Sequence, residues 1–170
     1  LKWNTSQVEP CRNYTIKANA TILPYETNTA NNNFTDGTVK LCARDLAIIN
    51  VVPSRDWVYQ GWFVDINVTA KNLGNLSDSF DVKAYYDNEL IGTKPVANLA
   101  PNAEITLTFN WNTSQAAPCH NYTIKGEAAI LPCDTNTTNN VYTDGGVKVR
   151  FVGDVDGDGS VSMKDIRAIA

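Results

Sequence analysis

The string "WNTSQ", two residues, "PC", one residue, "NYTIK" occurs twice in the chain, from Trp3 to Lys17 and from Trp111 to Lys125. The offset of 108 residues holds without a gap from Trp3/Trp111 to Lys40/Lys148, and 26 of those 38 positions are identical. A repeat at fixed offset constrains the fold more than any local pattern, because each copy must adopt one supersecondary structure. The second copy lies deep inside what reads as a complete domain, whereas the first stands at the N-terminus. After Lys40 and Lys148 the copies diverge, into "LCARDLAIINVV" and "VRFVGDVDGDG". The repeat unit is thus about one domain long, and residues 1–42 correspond to its last third.

Within the repeat the hydrophobic period is two. Val64, Ile66, Val68 and Ala70 alternate with Asp65, Asn67 and Thr69; Ile105, Leu107, Phe109 and Trp111 alternate with Thr106, Thr108 and Asn110; Tyr122, Ile124, Gly126, Ala128 and Ile130 share one side. Such runs between Asn/Gly/Pro clusters read as half-buried antiparallel strands. From Asp45 they number seven, at 45–52, 59–72, 78–87, 89–97, 103–112, 121–131 and 141–150. Helix signals are absent before residue 163. Seven short strands in about 105 residues predict an all-β, immunoglobulin-like antiparallel sandwich.

Asparagine is abundant, at 20 of 170 residues, and nine of these head Asn-x-Ser/Thr sequons: Asn4, Asn13, Asn19, Asn33, Asn67, Asn75, Asn112, Asn121 and Asn136. With 24 Ser and Thr in the chain, chance would give roughly three. On a strand, Asn and Thr of a sequon face one way and the middle residue faces the other. The middle residues include Tyr14, Ala20, Phe34, Val68, Leu76 and Tyr122, so the pattern predicts N-glycans on the outside of a packed sandwich. The net charge of −4 argues against a nucleic-acid partner, and no apolar run is long enough to span a membrane.

The segments "DLAIINVVPS", "VYQGWFVDINVTAKNLG", "SFDVKAYYDNELIGTKPVANLAPNAEITLTFNWNTS" and "NYTIKGEAAILPCDTNTTNNVYTDGGVKV" resemble, in order over 45–150, the CARDB domain. This is a cell-adhesion-related β-sandwich of secreted and surface proteins, abundant in archaea. The resemblance implies an extracellular or cell-surface location. CARDB domains usually carry glycine before the "NYT" element and in the hairpin loop, where this chain has Cys11, Cys119 and Cys133.

At the C-terminus, "DVDGDGSVSMKD" has the spacing of an EF-hand calcium loop. Asp154, Asp156 and Asp158 stand at positions 1, 3 and 5, Gly159 at 6, Ser160 at 7, Ser162 at 9 and Asp165 at 12. Aspartate at position 12 resembles the dockerin variant, with "MKDIRAIA" opening the exit helix. A dockerin has two such loops and this sequence has one, so the resemblance carries calcium binding more securely than it carries a cohesin partner. The expected organisation is a partial sandwich over 1–42, a complete one over 43–150 and a single loop with the start of a helix over 151–170.

The four cysteines include no CxxC pair and the single histidine, His120, has no partner in spacing, which argues against a zinc site, and in an exported chain an even count favours disulfides. If 13–23 pairs antiparallel with 34–41, opposed residues keep a sum near 53 or 54, so Cys11 faces Cys42, the favoured bridge. Cys119 and Cys133 flank a strand whose ten residues span ~33 Å, far beyond the ~7 Å of a disulfide. They would link neighbouring domains or chains unless the strand assignment fails; a Cys11–Cys133 bridge is the rival pairing.

No Ser/His/Asp spacing and no Gly-rich phosphate loop is present, which argues against an enzyme. The composition and repeat favour a structural glycoprotein, a building block of a surface layer, stalk or filament with copies of itself as partners and possible strand complementation. The near-absent linker between Cys42 and Asp45 suits a load-bearing rod. The alternative is a secreted module for carbohydrate or a cohesin-type partner, for which exposed Trp57, Trp62 or Tyr86 would be the sign.

Overall fold

The structure, a computed structural model, describes residues 1–5, 8–9, 12–41 and 44–169, the last three of these by backbone alone. Among the described residues ten strands form: β1 Asn13–Asn19, β2 Asn33–Lys40, β3 Leu46–Pro53, β4 Trp57–Tyr59, β5 Phe63–Asn72, β6 Asp78–Tyr86, β7 Glu89–Leu99, β8 Glu104–Asn112, β9 His120–Ala128 and β10 Val141–Arg150, followed by α1 Met163–Ile169. Strands β3 to β10 make the immunoglobulin-like sandwich, with a five-stranded sheet in the order β4-β10-β9-β6-β7 facing a three-stranded sheet β3-β5-β8. Strands β1 and β2 form a separate two-stranded sheet. Among the described residues no helix is long and apolar enough to cross a membrane.

The alternating residues meet where the pattern places them. Val64, Ile66, Val68 and Ala70 of β5 and Ile124 of β9 have no exposed surface, and Trp111 keeps 2%. Trp111 stacks on Tyr86 at 4.6 Å and meets Tyr122 edge-on at 5.5 Å, so Tyr86 belongs to the core rim. Gly126 is the tightest point between the sheets: a Cβ there would lie 2.8 Å from Val68, 2.9 Å from Val51 and 3.2 Å from Ile48.

Three expected strands change, the first being 13–23, which ends at Asn19. The run 59–72 splits, because Gly61 takes φ +85 and Trp62 N donates to Tyr59 O at 3.1 Å. This turn sends β4 into one sheet and β5 into the other, and β4 pairs with β10 in parallel, not antiparallel. The run 121–131 ends at Ala128, and Ile130 is 66% exposed instead of continuing the inner row.

The two copies of the repeat form the same hairpin. Asn13↔Lys40 and Ile16↔Asp36 in β1–β2 match Asn121↔Lys148 and Ile124↔Asp144 in β9–β10. Each has a bulge at the equivalent glycine, where Gly37 N donates to Asp36 and Gly145 N to Asp144. The tyrosine that hydrogen-bonds back to the upstream backbone is kept as well: Tyr14 Oη donates to Glu9 O and Tyr122 Oη to Ala117 O. What differs is cover. Ile16, Val39 and Trp3 are 40%, 43% and 44% exposed, against 0%, 0% and 2% for Ile124, Val147 and Trp111. The expected inward positions Phe34 and Ala20 are exposed too, since β1–β2 has no second sheet over it.

Overpacking Gly126 is the direct test of the intersheet contact. Gly126→Ala lowers stability by about 1–3 kcal/mol, read as a depressed thermal midpoint, whereas Ala18→Gly at the equivalent uncovered position leaves the sandwich midpoint in place. An unchanged midpoint for Gly126→Ala would show that the sheets do not meet there.

Candidate functional site

The C-terminal loop is built by its own aspartates. Asp154 is fully buried and accepts from Gly157 N at 2.8 Å and Gly159 N at 3.1 Å. Those glycines have φ +77 and +89, conformations that side chains resist. Asp158 accepts from Ser160 N at 2.9 Å and Ser160 Oγ at 2.6 Å. One carboxylate oxygen from each of Asp154, Asp156 and Asp158 falls within 4.8 Å of the others. Calcium binds oxygens at ~2.3–2.6 Å, so ligands on opposite sides of one ion lie about twice that far apart, and the three hard oxygens fit a divalent cation.

Asp165 stands apart from that triad. Its Oδ1 accepts from Val155 N at 2.8 Å and its Oδ2 from Ser162 N at 2.7 Å. Ser162 Oγ in turn accepts from Lys164 N at 3.2 Å. Ser162 and Asp165 thus make a reciprocal capping box at the start of α1, a signal present in the sequence as Ser-x-x-Asp but absorbed there into the cation spacing. Ser160 lends its hydroxyl to Asp158.

The loop rests on the sandwich. Lys148 Nζ donates to Gly157 O at 3.0 Å, Cys119 Sγ donates to Gly159 O at 3.6 Å, and the Arg150 guanidinium packs against Gly157. Val161, Met163 and Ile166 remain 60%, 73% and 61% exposed.

The sequons are all accessible. Asn4, Asn13, Asn19, Asn33, Asn75, Asn112, Asn121 and Asn136 are exposed, and Asn67 is half-buried, accepting from Thr108 Oγ1 at 2.7 Å. The middle residues Val68 and Tyr122 are buried. Cys119 and Cys133 stand at opposite ends of β9 and are not joined to each other. Both have left-handed backbone, φ +61 and +69, which accounts for glycine being usual at such positions. Cys11 and Cys42, and with them the favoured bridge and its rival to Cys133, lie outside the described residues.

Sandwich, tyrosine corner and loop define an immunoglobulin-like module. The CARDB family model matches residues 43–144, and the chain belongs to the CARDB family. It is similar to the crystal structure of a CARDB domain from Pyrococcus furiosus in complex with di-metal ions, at 27% identity and a TM-score of 0.53, covering 64% of this chain and 96% of that one. The solution structure of that domain gives 27% identity and a TM-score of 0.54 over the same shares. A solution structure of a domain from a Methanosarcina acetivorans protein named for the cell surface has 23% identity and a TM-score of 0.51, covering 62% and 92%; at that identity it supports the fold alone. A search of curated proteins found no match.

Hydrogen bonding sets the loop's acid limit. Ser162 N, then Val155 N and Asp156 N, hold the Asp165 carboxyl below its ordinary 3.8, and the Ser160 hydroxyl and N–H do the same for Asp158. A depressed folded pKa gives stability that is fully present above the unfolded value and is lost as pH falls through the folded one. Cation-free chain therefore keeps its Val155 and Ser162 amide shifts above about pH 4 and loses them on further acidification. Shifts that move at neutral pH instead would contradict the capping assignment.

Proposed function

We propose that the chain is an extracellular structural glycoprotein, in which CARDB sandwiches follow one another as building blocks of a surface layer, stalk or filament, and in which the C-terminal loop is ordered by calcium. One observation carries this reading, the junction between the repeat copies. Leu41 is held in the hairpin by its N–H to Arg12 O at 2.9 Å. Arg44 is already held in the sandwich: its Nε meets the buried Asp78 at 2.7 Å, its Nη1 donates to Pro132 O, its N–H donates to Cys133 O, and its carbonyl accepts from Thr135 N. Only two positions separate the anchored residues, so the hairpin and the sandwich follow one another closely along the chain, as a serial array of modules requires.

The other parts agree. Eight exposed sequons and one half-buried one leave room for N-glycans. The Asp154, Asp156 and Asp158 triad offers the oxygens calcium needs, with Ser160, Ser162 and Asp165 completing the shell once the ion draws them in. The similar Pyrococcus furiosus domain is in complex with di-metal ions. The uncovered face of β1–β2 is the assembly surface. A neighbouring module of the same kind packs on this face, so that modules join head to tail.

Native material imaged by electron microscopy should show beaded rods or a lattice whose unit is one sandwich; dispersed particles would overturn the building-block reading. Calorimetry should find one calcium per chain, with no uptake at millimolar calcium counting against the loop assignment. Intact mass should exceed that of the bare polypeptide, and equality would remove the glycans.

A further inference from the structure

The turn that splits the expected strand 59–72 leaves an aromatic hollow that neither the core nor the cation loop uses. Ser54, Arg55, Trp57, Tyr59 and Trp62 enclose about 260 Å³, below the ~300–1,000 Å³ of drug-sized sites and suited to one small ring. Tyr59 meets Trp57 at 5.3 Å and Trp62 at 5.5 Å, each pair edge-on at 78°. The rings form walls set across one another. They are also fixed in place. Arg150 lies over the Trp57 ring at 4.3 Å. The carbonyl of Trp62 accepts from Thr113 N at 3.1 Å and Thr113 Oγ1 at 2.8 Å.

Trp57 and Trp62 nevertheless remain 38% and 54% exposed, whereas Trp111 of the core is 2% exposed. Rigid, solvent-facing indoles cost solvation free energy unless a ligand covers them. Arg55 is exposed and lines the hollow, and its guanidinium makes no hydrogen bond or ion pair with another described residue, so a donor fork stands free at the rim. We propose that this hollow binds a pyranose sugar. The C–H face of such a ring is apolar and stacks on indole, while its hydroxyls accept from the Arg55 guanidinium and from the Ser54 hydroxyl that also lines the hollow. An extended peptide would need a sheet edge to pair with, and β4 offers three residues.

The test uses the full chain made without glycans, titrated with maltohexaose and, separately, chitohexaose, while the four indole N–H signals are followed by NMR. The expected result is a saturable shift of Trp57 and Trp62, with a Kd of about 1 mM or tighter, and no shift of buried Trp111 or of Trp3, which is exposed but outside the hollow. Trp62→Ala should weaken binding at least about tenfold, with the Trp111 signal reporting that the fold persists. Arg55→Ala, an exposed position away from the core, should weaken it as well. No shift with either sugar, equal shifts at Trp3, or unchanged affinity in both variants would overturn the proposal. So would a strand-forming peptide that moves the same signals where the sugars do not.

Discussion

The contact between the β9–β10 hairpin and the three-stranded sheet is what the rest of the molecule depends on. Its closest point is the backbone of Gly126 under Ile48, Val51 and Val68. The chain carries its own control for this contact, because nearly the same hairpin sequence folds a second time without it. Register, bulge, tyrosine hydrogen bond and the edge-on Trp–Tyr pair persist in β1–β2, where Trp3 meets Tyr14 at 5.4 Å. Those features are therefore local properties of the sequence. Burial is not: Ile16 and Val39 stay in solvent where Ile124 and Val147 have none. Each such apolar side chain is worth about 1.5–3 kcal/mol when fully covered. A few of them approach the net stability of a whole domain, about 5–15 kcal/mol, while a lone hairpin is marginal in water.

Much of this was legible in the sequence. Period-two alternation located the core strands, the repeat located the hairpins, and the aspartate spacing located the loop. The break at Gly61 was hidden for a physical reason. Val58 and Val64 are both buried and have the same parity, so the inward rows stay in phase across the turn although the strand changes sheets there. Patterning reports which face is apolar, not which neighbour pairs with the edge, and so the parallel β4–β10 pairing was invisible. Asp165 satisfies two rules at once, loop position 12 and the N3 position of a capping box, so in the sequence the cation spacing hides the cap.

The loop and the sandwich are linked through the last residues of β10. Lys148 and Arg150 press on Gly157 from one side, and Arg150 lies over Trp57 on the other. A Cβ at Gly157 would fall 2.8 Å from Arg150 Cζ, so glycine there serves packing as well as the turn. The end of one strand thus orients the acidic loop and the aromatic hollow together, while Arg44 orients the entry to the sandwich at Asp78. A module anchored at both ends in this way suits a serial assembly.

Amide hydrogen exchange compared between the two hairpins tests the central claim most directly, because the sequences are so nearly matched that intrinsic rates cancel. In chain kept monomeric, the hydrogen-bonded amides of β9–β10 should open only near the global unfolding limit. Their counterparts in β1–β2 should exchange at least about a hundredfold faster, each tenfold corresponding to about 1.4 kcal/mol. Equal protection in the two hairpins of a monomer would contradict the account, by showing that the hairpin sequence itself, and not the sheet that covers it, supplies the stability.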